Sequence, residues 1–208
     1  MSRYTGAKCK LCRREGMKLF LKGARCETVK CAIAKRAHPP GEHPWARKKR
    51  SEYGHQLREK QKAKRTYGVF ERPFRNLFAL ANAQKGNTGE NLIKLLERRL
   101  DNVVYLCGFA HSRAHARQII VHGHVLLNGH RAKICSMRVK SGDVVSIKAR
   151  DKSKKLIEAT HDATKHRGVP SWLQVDAKAF EGKVLELPKR EEAAIDLQEQ
   201  LIVEFCSK

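Results

Sequence analysis

The sequence is short of acid. Only 21 Asp and Glu stand against 44 Lys and Arg in 208 residues, a formal net charge of +23 with His neutral. Such an excess repels itself on folding and suits a polyanionic partner far better than a small-molecule substrate. No apolar stretch approaches the length of a membrane span, and Met1-Ser2-Arg3-Tyr4-Thr5 opens into no apolar signal core. A cytoplasmic chain with no membrane partner is expected. Also lacking are a glycine-rich phosphate loop, an HExxH pair, a nucleophile elbow and carboxylates paired by spacing, so no catalytic reading arises. Apolar residues make up 41%, enough for a core and too many for a simple basic tail. The length allows one or two domains.

The positive charge is uneven. Residues 1–75 carry 22 basic and 6 acidic side chains, whereas residues 181–208 carry 4 and 7. The first third is therefore the expected electrostatic footprint, with Arg47-Lys48-Lys49-Arg50 as its densest run. Met17–Leu21 reads as a strand or one buried turn. The prolines of 38–44 mark a loop over residues 37–46. Residues 55–66 read as a solvated helix anchored by Leu57 and Ala63, its Arg58, Lys60, Lys62, Lys64 and Arg65 requiring a counter-charge alongside. Phe74, Leu77, Phe78 and Ala81 recur at helical spacing beside Arg72.

Asn87-Thr88-Gly89-Glu90 has capping-box spacing and starts a helix lined by Leu92, Leu95, Leu96 and Leu100. Asp101-Asn102 can cap a further short helix closed by Gly108. Ser112 is the next cap, opening a helix over 113–121 with Ala114 and Ile120 as packing candidates. Beyond Gly123 the period changes to that of strands. Val125-Leu126-Leu127 followed by Asn128-Gly129 predicts a hairpin, and Val144–Ile147 a further strand. A helix over 153–165 and a strand with a buried indole near 170–176 follow. The apolar end, Leu201–Phe205, folds back as a strand or a helical turn. The fold class is α+β.

Four of the seven cysteines fall in the first 31 residues, as Cys9-x2-Cys12, then 13 residues to Cys26 and four to Cys31. An odd count in a non-secreted chain argues for metal ligands and thiols, not a disulfide framework. A closed structural zinc site fits this ligand set, and an iron–sulfur cluster is the alternative. Lys8, Lys10, Arg13, Arg14 and Arg25 around it are expected to favour thiolates. Cys107 and Cys135 sit among apolar positions and read as small core residues.

Arg113 and Arg117, four apart beside a helix start, form a candidate phosphate grip bordered by His115, His122 and Lys133. Arg58, Lys62, Arg65 and Arg72 join Arg47–Arg50 as further RNA-facing candidates. Reversing Arg113 and Arg117 to Glu is expected to weaken RNA binding with little loss of folded protein.

The same residues carry a family pattern. Arg99-Leu100-Asp101-Asn102-Val103-Val104-Tyr105, Gly108-Phe109-Ala110, Ser112-Arg113-Ala114, Ala116-Arg117-Gln118, Gly123-His124, Leu127-Asn128-Gly129 and Val139-Lys140-Ser141-Gly142-Asp143 resemble the RNA-binding module named after small ribosomal subunit protein four. That module also occurs in pseudouridine synthases, a tyrosyl-tRNA synthetase and a ribosome-associated heat-shock protein. A stand-alone RNA-binding or RNA-modifying factor is thus the alternative reading. Tyr53-Gly54, Gln56–Lys62, Tyr67-Gly68-Val69, Lys85–Leu92, Trp172-Leu173 and Glu199–Phe205 extend the resemblance over the whole chain to the bacterial protein-four family, and the cysteines to its zinc-bearing branch.

The resemblance implies a zinc region at 1–45 and a basic helical domain at 46–95 completed by 185–208. It also implies an inserted α+β domain at 96–184, with the module at about 97–160. It further implies a non-enzymatic ribosomal protein that binds a helical junction in the 5′ domain of 16S ribosomal RNA, nucleates assembly and affects accuracy. Small-subunit proteins three and five and the channel through which mRNA enters would lie nearby. His115 stands where the family usually has Glu, which leaves the Ser112 hydroxyl alone, or RNA phosphate, to hold that helix start.

Overall fold

In a computed structural model, residues 4–43, 51–148, 151–164, 167–193 and 195–208 are described. The chain forms two compact units, Met1–Ile93 with Ala194–Lys208, and Lys94–Ala193.

In the first unit α1 (Lys8–Glu15) stops at Gly16, whose φ of 73° takes the left-handed cap conformation. Residues 17–20 then form no strand; Leu19 is buried and Phe20 lies on the surface. A 3₁₀ turn at Gly23–Cys26 leads to the one-turn α2 (Ala32–Lys35). Ser51 Oγ accepts from Gly54 N at 3.2 Å and so caps α3 (Glu52–Thr66). The next helix, α4 (Glu71–Asn82), buries Phe74, Leu77 and Ala81 as its periodicity requires. Asn87 Oδ1 takes the amide of Gly89 at 2.9 Å to open α5 (Thr88–Glu97).

The counter-charge that α3 needs comes from its neighbours. Glu15 at the end of α1, its side chain 3% exposed, receives Arg58 at 3.0 Å and also Arg65. Glu71 of α4 receives Lys60 and Lys64, each at 2.6 Å, and Arg75 at 3.1 Å. The inward face of α3 is therefore Gln56, Lys60, Ala63 and Thr66, while the expected anchor Leu57 is half-buried. Polar residues can occupy that face because the C-terminal helix answers them. This helix, α9 (Glu199–Cys206), places Glu204 2.9 Å from Gln56 Nε2 and the Phe205 ring 4.4 Å from Lys60 Nζ. Of the two forms open to the chain end, it takes the helix.

In the second unit, α6 (Leu100–Leu106) and α7 (Arg113–Val121) precede β1 (Val125–Leu127) and β2 (His130–Arg131). Asn128 and Gly129, at φ of 51° and 79°, make the hairpin turn that requires two positive values. Then come β3 (Val144–Ile147), α8 (Asp151–Thr164), β4 (Leu173–Asp176) and β5 (Glu181–Val184). The antiparallel sheet has the order β2-β1-β3-β5-β4, with Val145 and Val175 both opposite Gly182. Val103, Phe109, Ile119, Ile120, Val125, Val145, Ile157 and Trp172 share its core. Cys107 and Cys135 are core residues, as their apolar neighbours suggested.

Two local expectations need correction, and one strand carried no signal. Asp101 and Asn102 lie inside α6, and Arg99 is its N-cap. On α7 Ala114 is exposed, while Ala116 and Ile119 pack with Ile120. The segment that became β5 carried no strand signal, because its inward positions are only Gly182 and Val184. Gly182 is needed there, since a Cβ would stand 2.6 Å from Cys107 Sγ.

Burial alone would raise the Glu71 carboxyl, but hydrogen bonds from Lys60, Lys64 and Arg75 outweigh it and hold it at about 2. Its pairing is thus fully present above its ordinary 4.5 and is lost as pH falls through about 2. Thermal unfolding of the full chain across that window is expected to fall less steeply in Glu71→Gln than in the parent. Equal slopes would show that Glu71 does not couple folding to acid.

Candidate functional site

A single aspartate decides where the arginines of the second unit point. Asp101 lies in the first turn of α6 with its side chain 2% exposed. It accepts from Arg99 Nε at 3.1 Å and Nη2 at 2.9 Å, and from Arg117 Nε of α7 at 2.6 Å. Next to it, Asn102 donates Nδ2 to the Glu97 carbonyl at 2.9 Å and to the Glu97 carboxylate, and accepts from Arg113 Nε at 2.7 Å. The Arg113 guanidinium lies 4.6 Å from the Tyr105 ring centroid, and that of Arg167 at 5.1 Å.

The four-residue spacing does put Arg113 and Arg117 on one face of α7, but that face turns toward α6. Arg113 is 7% exposed, and Arg117 is half-buried. The expectation that both can be reversed with little loss of fold is therefore corrected: glutamates there would confront Asp101 and Glu97 in a desolvated setting.

His115 partly restores the missing cap. Ser112 Oγ accepts from His115 N at 3.3 Å, and His115 Nδ1 accepts in turn from the His111 amide at 3.4 Å. The hydroxyl is thus not alone in holding the helix start. Burial pushes the His115 pKa below its ordinary 6.5 and the His111 charge pushes it further, which favours the neutral ring this bond requires.

A second set of cations is held by backbone carbonyls. Residues 135–139 run beside the start of α6, with Leu100 N donating to Met137 O at 2.8 Å and Val139 N to Arg98 O at 2.9 Å. Arg98 Nε donates to Val139 O at 2.9 Å. Its pKa is lowered first by burial and then by the charge of Arg138, against which the charge of Asp143 acts. Arg138, Lys133, Lys140 and His122 are exposed. Arg131, also exposed, donates to His122 O at 3.2 Å and lies against Gly123, where a Cβ would strike its guanidinium. The sequence reading missed Arg98, Arg131, Arg138 and Lys140. Their signal was the alternation of basic residues along 131–140. Asp143 offsets part of this charge, and the exposed cations Arg131, Lys133, Arg138 and Lys140 leave a positive potential suited to phosphate.

In the first unit, Arg58 and Arg65 are engaged by Glu15, and Lys62 pairs with Glu59 at 2.7 Å. These three pair with carboxylates of the fold. Arg72 is exposed on α4. Arg47, Lys48, Lys49 and Arg50 lie outside the described residues.

Cys9, Cys12, Cys26 and Cys31 line one cavity of about 20 Å³ with Phe20 and Leu21, and none of the seven cysteines forms a disulfide. Among the described residues no group of three or more His, Cys, Asp or Glu forms a cluster that could hold a metal as it stands. Burial raises the Cys12 and Cys26 thiols, and neighbouring cysteines raise them further. The backbone amides of Leu19 and Lys22 act the other way, the latter 3.4 Å from Cys26 Sγ. At Cys12 and Cys26, burial thus outweighs the basic neighbours expected to favour thiolates. Arg13 and Arg14 bond the carbonyls of His38 and Pro40 at 2.9 and 2.8 Å, and Arg25 that of Lys30 at 3.3 Å.

Asp101→Asn, which leaves buried arginines under-compensated, is expected to cost about 3–5 kcal/mol in urea unfolding. Arg138→Glu at the exposed site is expected to change stability by no more than about 0.5 kcal/mol. The reverse order would exchange the structural and surface roles of the two positions.

Residues 3–97 match the family described as ribosomal protein S4/S9 N-terminal domain, and residues 98–145 match the S4 domain. The chain is similar over its full length, and theirs, to small ribosomal subunit proteins uS4. Identity is 53% to that of Trichlorobacter lovleyi and 54% to those of Thermodesulfovibrio yellowstonii and Geobacter metallireducens. The Asp101 knot and the cations around it fall within or at the edges of that matched S4 domain, and the chain belongs to the uS4 family of small ribosomal subunit proteins.

Proposed function

We infer that the chain is a non-catalytic constituent of the small ribosomal subunit that binds its ribosomal RNA. The observation that carries this reading is the surface at Arg98 and Arg138, bordered in sequence by Lys133 and Lys140, in a domain that matches an RNA-binding family. The Arg98 guanidinium, anchored by the Val139 carbonyl, and the exposed Arg138 offer positive charge to a phosphate. A-form RNA hides its base edges in a deep major groove, so phosphate position and helix shape are what such a surface reads. The finer reading follows the family: a helical junction in the 5′ domain of 16S RNA, early assembly of the subunit body, and an influence on accuracy. Proteins three and five and the channel through which mRNA enters are its neighbours in that reading. Arg117 and His115 act by positioning α7.

If roughly 6–10 phosphates are contacted, affinity for small-subunit RNA falls about 10³–10⁵-fold between 50 and 200 mM salt. Filter binding of the full chain is expected to show that slope, with Arg138→Glu binding more weakly at every salt concentration. Salt-insensitive binding, or equal affinity for an unrelated duplex, would reject the reading.

The N-terminal cysteines support a structural divalent ion. Four cysteines line one cavity that has no carboxylate or imidazole in its lining, a soft donor set suited to zinc. Cys9, Cys12, Cys26 and Cys31 would hold zinc once drawn together and deprotonated. The ion would staple a region with few apolar groups. Native mass spectrometry is expected to find one zinc per chain. A metal-free chain with residues 8–35 equally protected from hydrogen exchange would remove the ion from the account.

A further inference from the structure

The tip of the β1–β2 hairpin joins a reactive dipeptide to a clasp. Of the asparagines in the chain, only Asn128 is followed by glycine. Both residues are exposed, and a Cβ added at Gly129 would meet nothing within 4 Å. Among the described residues no hydrogen bond engages the Gly129 amide. The Asn128 side chain, in contrast, is fully occupied. Its Nδ2 donates to Asp143 Oδ1 at 2.9 Å, and its Oδ1 accepts from Val144 N at 2.8 Å. The Asn128 amide donates to Val144 O at 2.8 Å. Asp143 is fixed in turn, since its Oδ2 accepts from Lys140 N at 2.6 Å and its carbonyl from Val184 N at 2.9 Å. The turn is thereby fastened to the start of β3.

We propose that Asn128 is a site of spontaneous deamidation, and that the clasp to Asp143 and Val144 sets its rate. The Gly129 nitrogen attacks Asn128 Cγ, the Cγ–Nδ2 bond breaks, and the proton of the attacking nitrogen leaves with the side-chain amide as ammonia. Water then opens the five-membered imide. Opening at Cγ leaves aspartate, and opening at the main-chain carbonyl leaves isoaspartate. Water is the only co-reactant, and nothing is oxidised or reduced. Glycine permits the attack because it brings no Cβ to the approach. The carboxamide must give up both partners before Cγ can turn to the Gly129 nitrogen, so the reaction proceeds from locally opened molecules. The product weakens the clasp. A carboxylate at 128 offers no donor to Asp143 Oδ1 and sets like charges together. Isoaspartate also lengthens the backbone of a turn that needs two positive φ values. Asp143 already offsets part of the charge around Arg98, so a second carboxylate beside it reduces the attraction for phosphate. That last consequence rests on the chain binding ribosomal RNA.

The full chain is incubated at mildly alkaline pH, natively and in urea, and conversion of residue 128 to aspartate and isoaspartate is followed by peptide mass spectrometry. Deamidation is expected to run about tenfold or more slower in the native chain than in the unfolded one. Asp143→Ala, which removes the Nδ2 acceptor, is expected to close most of that gap. If this variant does not fold, the parent in sub-denaturing urea carries the comparison, its deamidation rising in step with hydrogen exchange at the Val144 amide. Equal native and unfolded rates, or a folded Asp143→Ala with the parent's rate, would overturn the proposal. So would an unfolded chain in which Asn128 is no more labile than Asn102, which precedes valine. In filter binding, Asn128→Asp is expected to lower affinity for small-subunit RNA about threefold. Asn128→Gly, which loses the clasp without adding charge, is expected to bind more tightly than Asn128→Asp. Equal affinities of the two would overturn the consequence for RNA. Failure of the parent chain itself to bind would instead reject the ribosomal reading and leave the deamidation rates unaffected.

Discussion

The structure is organised around shared carboxylates. With 44 basic side chains and 21 acidic ones, no fold can give each cation its own partner. The chain instead encloses a few acids and surrounds each with two or three cations. Glu15 joins α1 to α3, Glu71 joins α4 to α3, and Asp101 joins α6 to α7. Sharing is favourable because a desolvated carboxylate has several lone-pair sites and a planar guanidinium fills only two of them. Desolvation makes Glu15 and Asp101 costly to remove, whereas Glu71 keeps its side chain 39% exposed. Helices that carry too much positive charge to pack on apolar contact alone are held by these points.

The nature of the acceptor separates structural cations from functional ones. Where a carboxylate holds an arginine, as with Arg58, Arg65, Arg99 and Arg117, the charge is compensated inside the protein. Where a backbone carbonyl holds it, as with Arg98 and Arg131, geometry is fixed and the net charge persists. Such side chains are oriented in advance, so an RNA phosphate meets them without the entropy loss of ordering a flexible cation.

Much of this was visible in the chain before folding. The Asn128-Gly129 turn, the Ser112 and Asn87 caps and the apolar stripe of α4 are local signals, and each produced the element it specified. The requirement for a counter-charge beside α3 was equally legible, although the identity of Glu15 and Glu71 was not. The partner of a helical lysine can lie far away in sequence. The core roles of Cys107 and Cys135 followed from their neighbours. By contrast, β5 has no periodic apolar pattern, and its inward glycine exists to admit a sulfur from a helix about 75 residues earlier.

By itself, the sequence determined the charge class, the α+β composition, the starts of α5 and α7 and the family to which the residues belong. Those properties depend on residue type and near-neighbour spacing. Only the tertiary structure decided which cations face inward. The i, i+4 rule places Arg113 and Arg117 on a common face but cannot say what that face meets, and a buried aspartate on another helix settled it. Only the fold, likewise, set Asp176 against Glu181 across two strands and turned the chain end into a helix over Lys60. Long-range pairing is governed by desolvation and register, and neither is written in any short window of sequence.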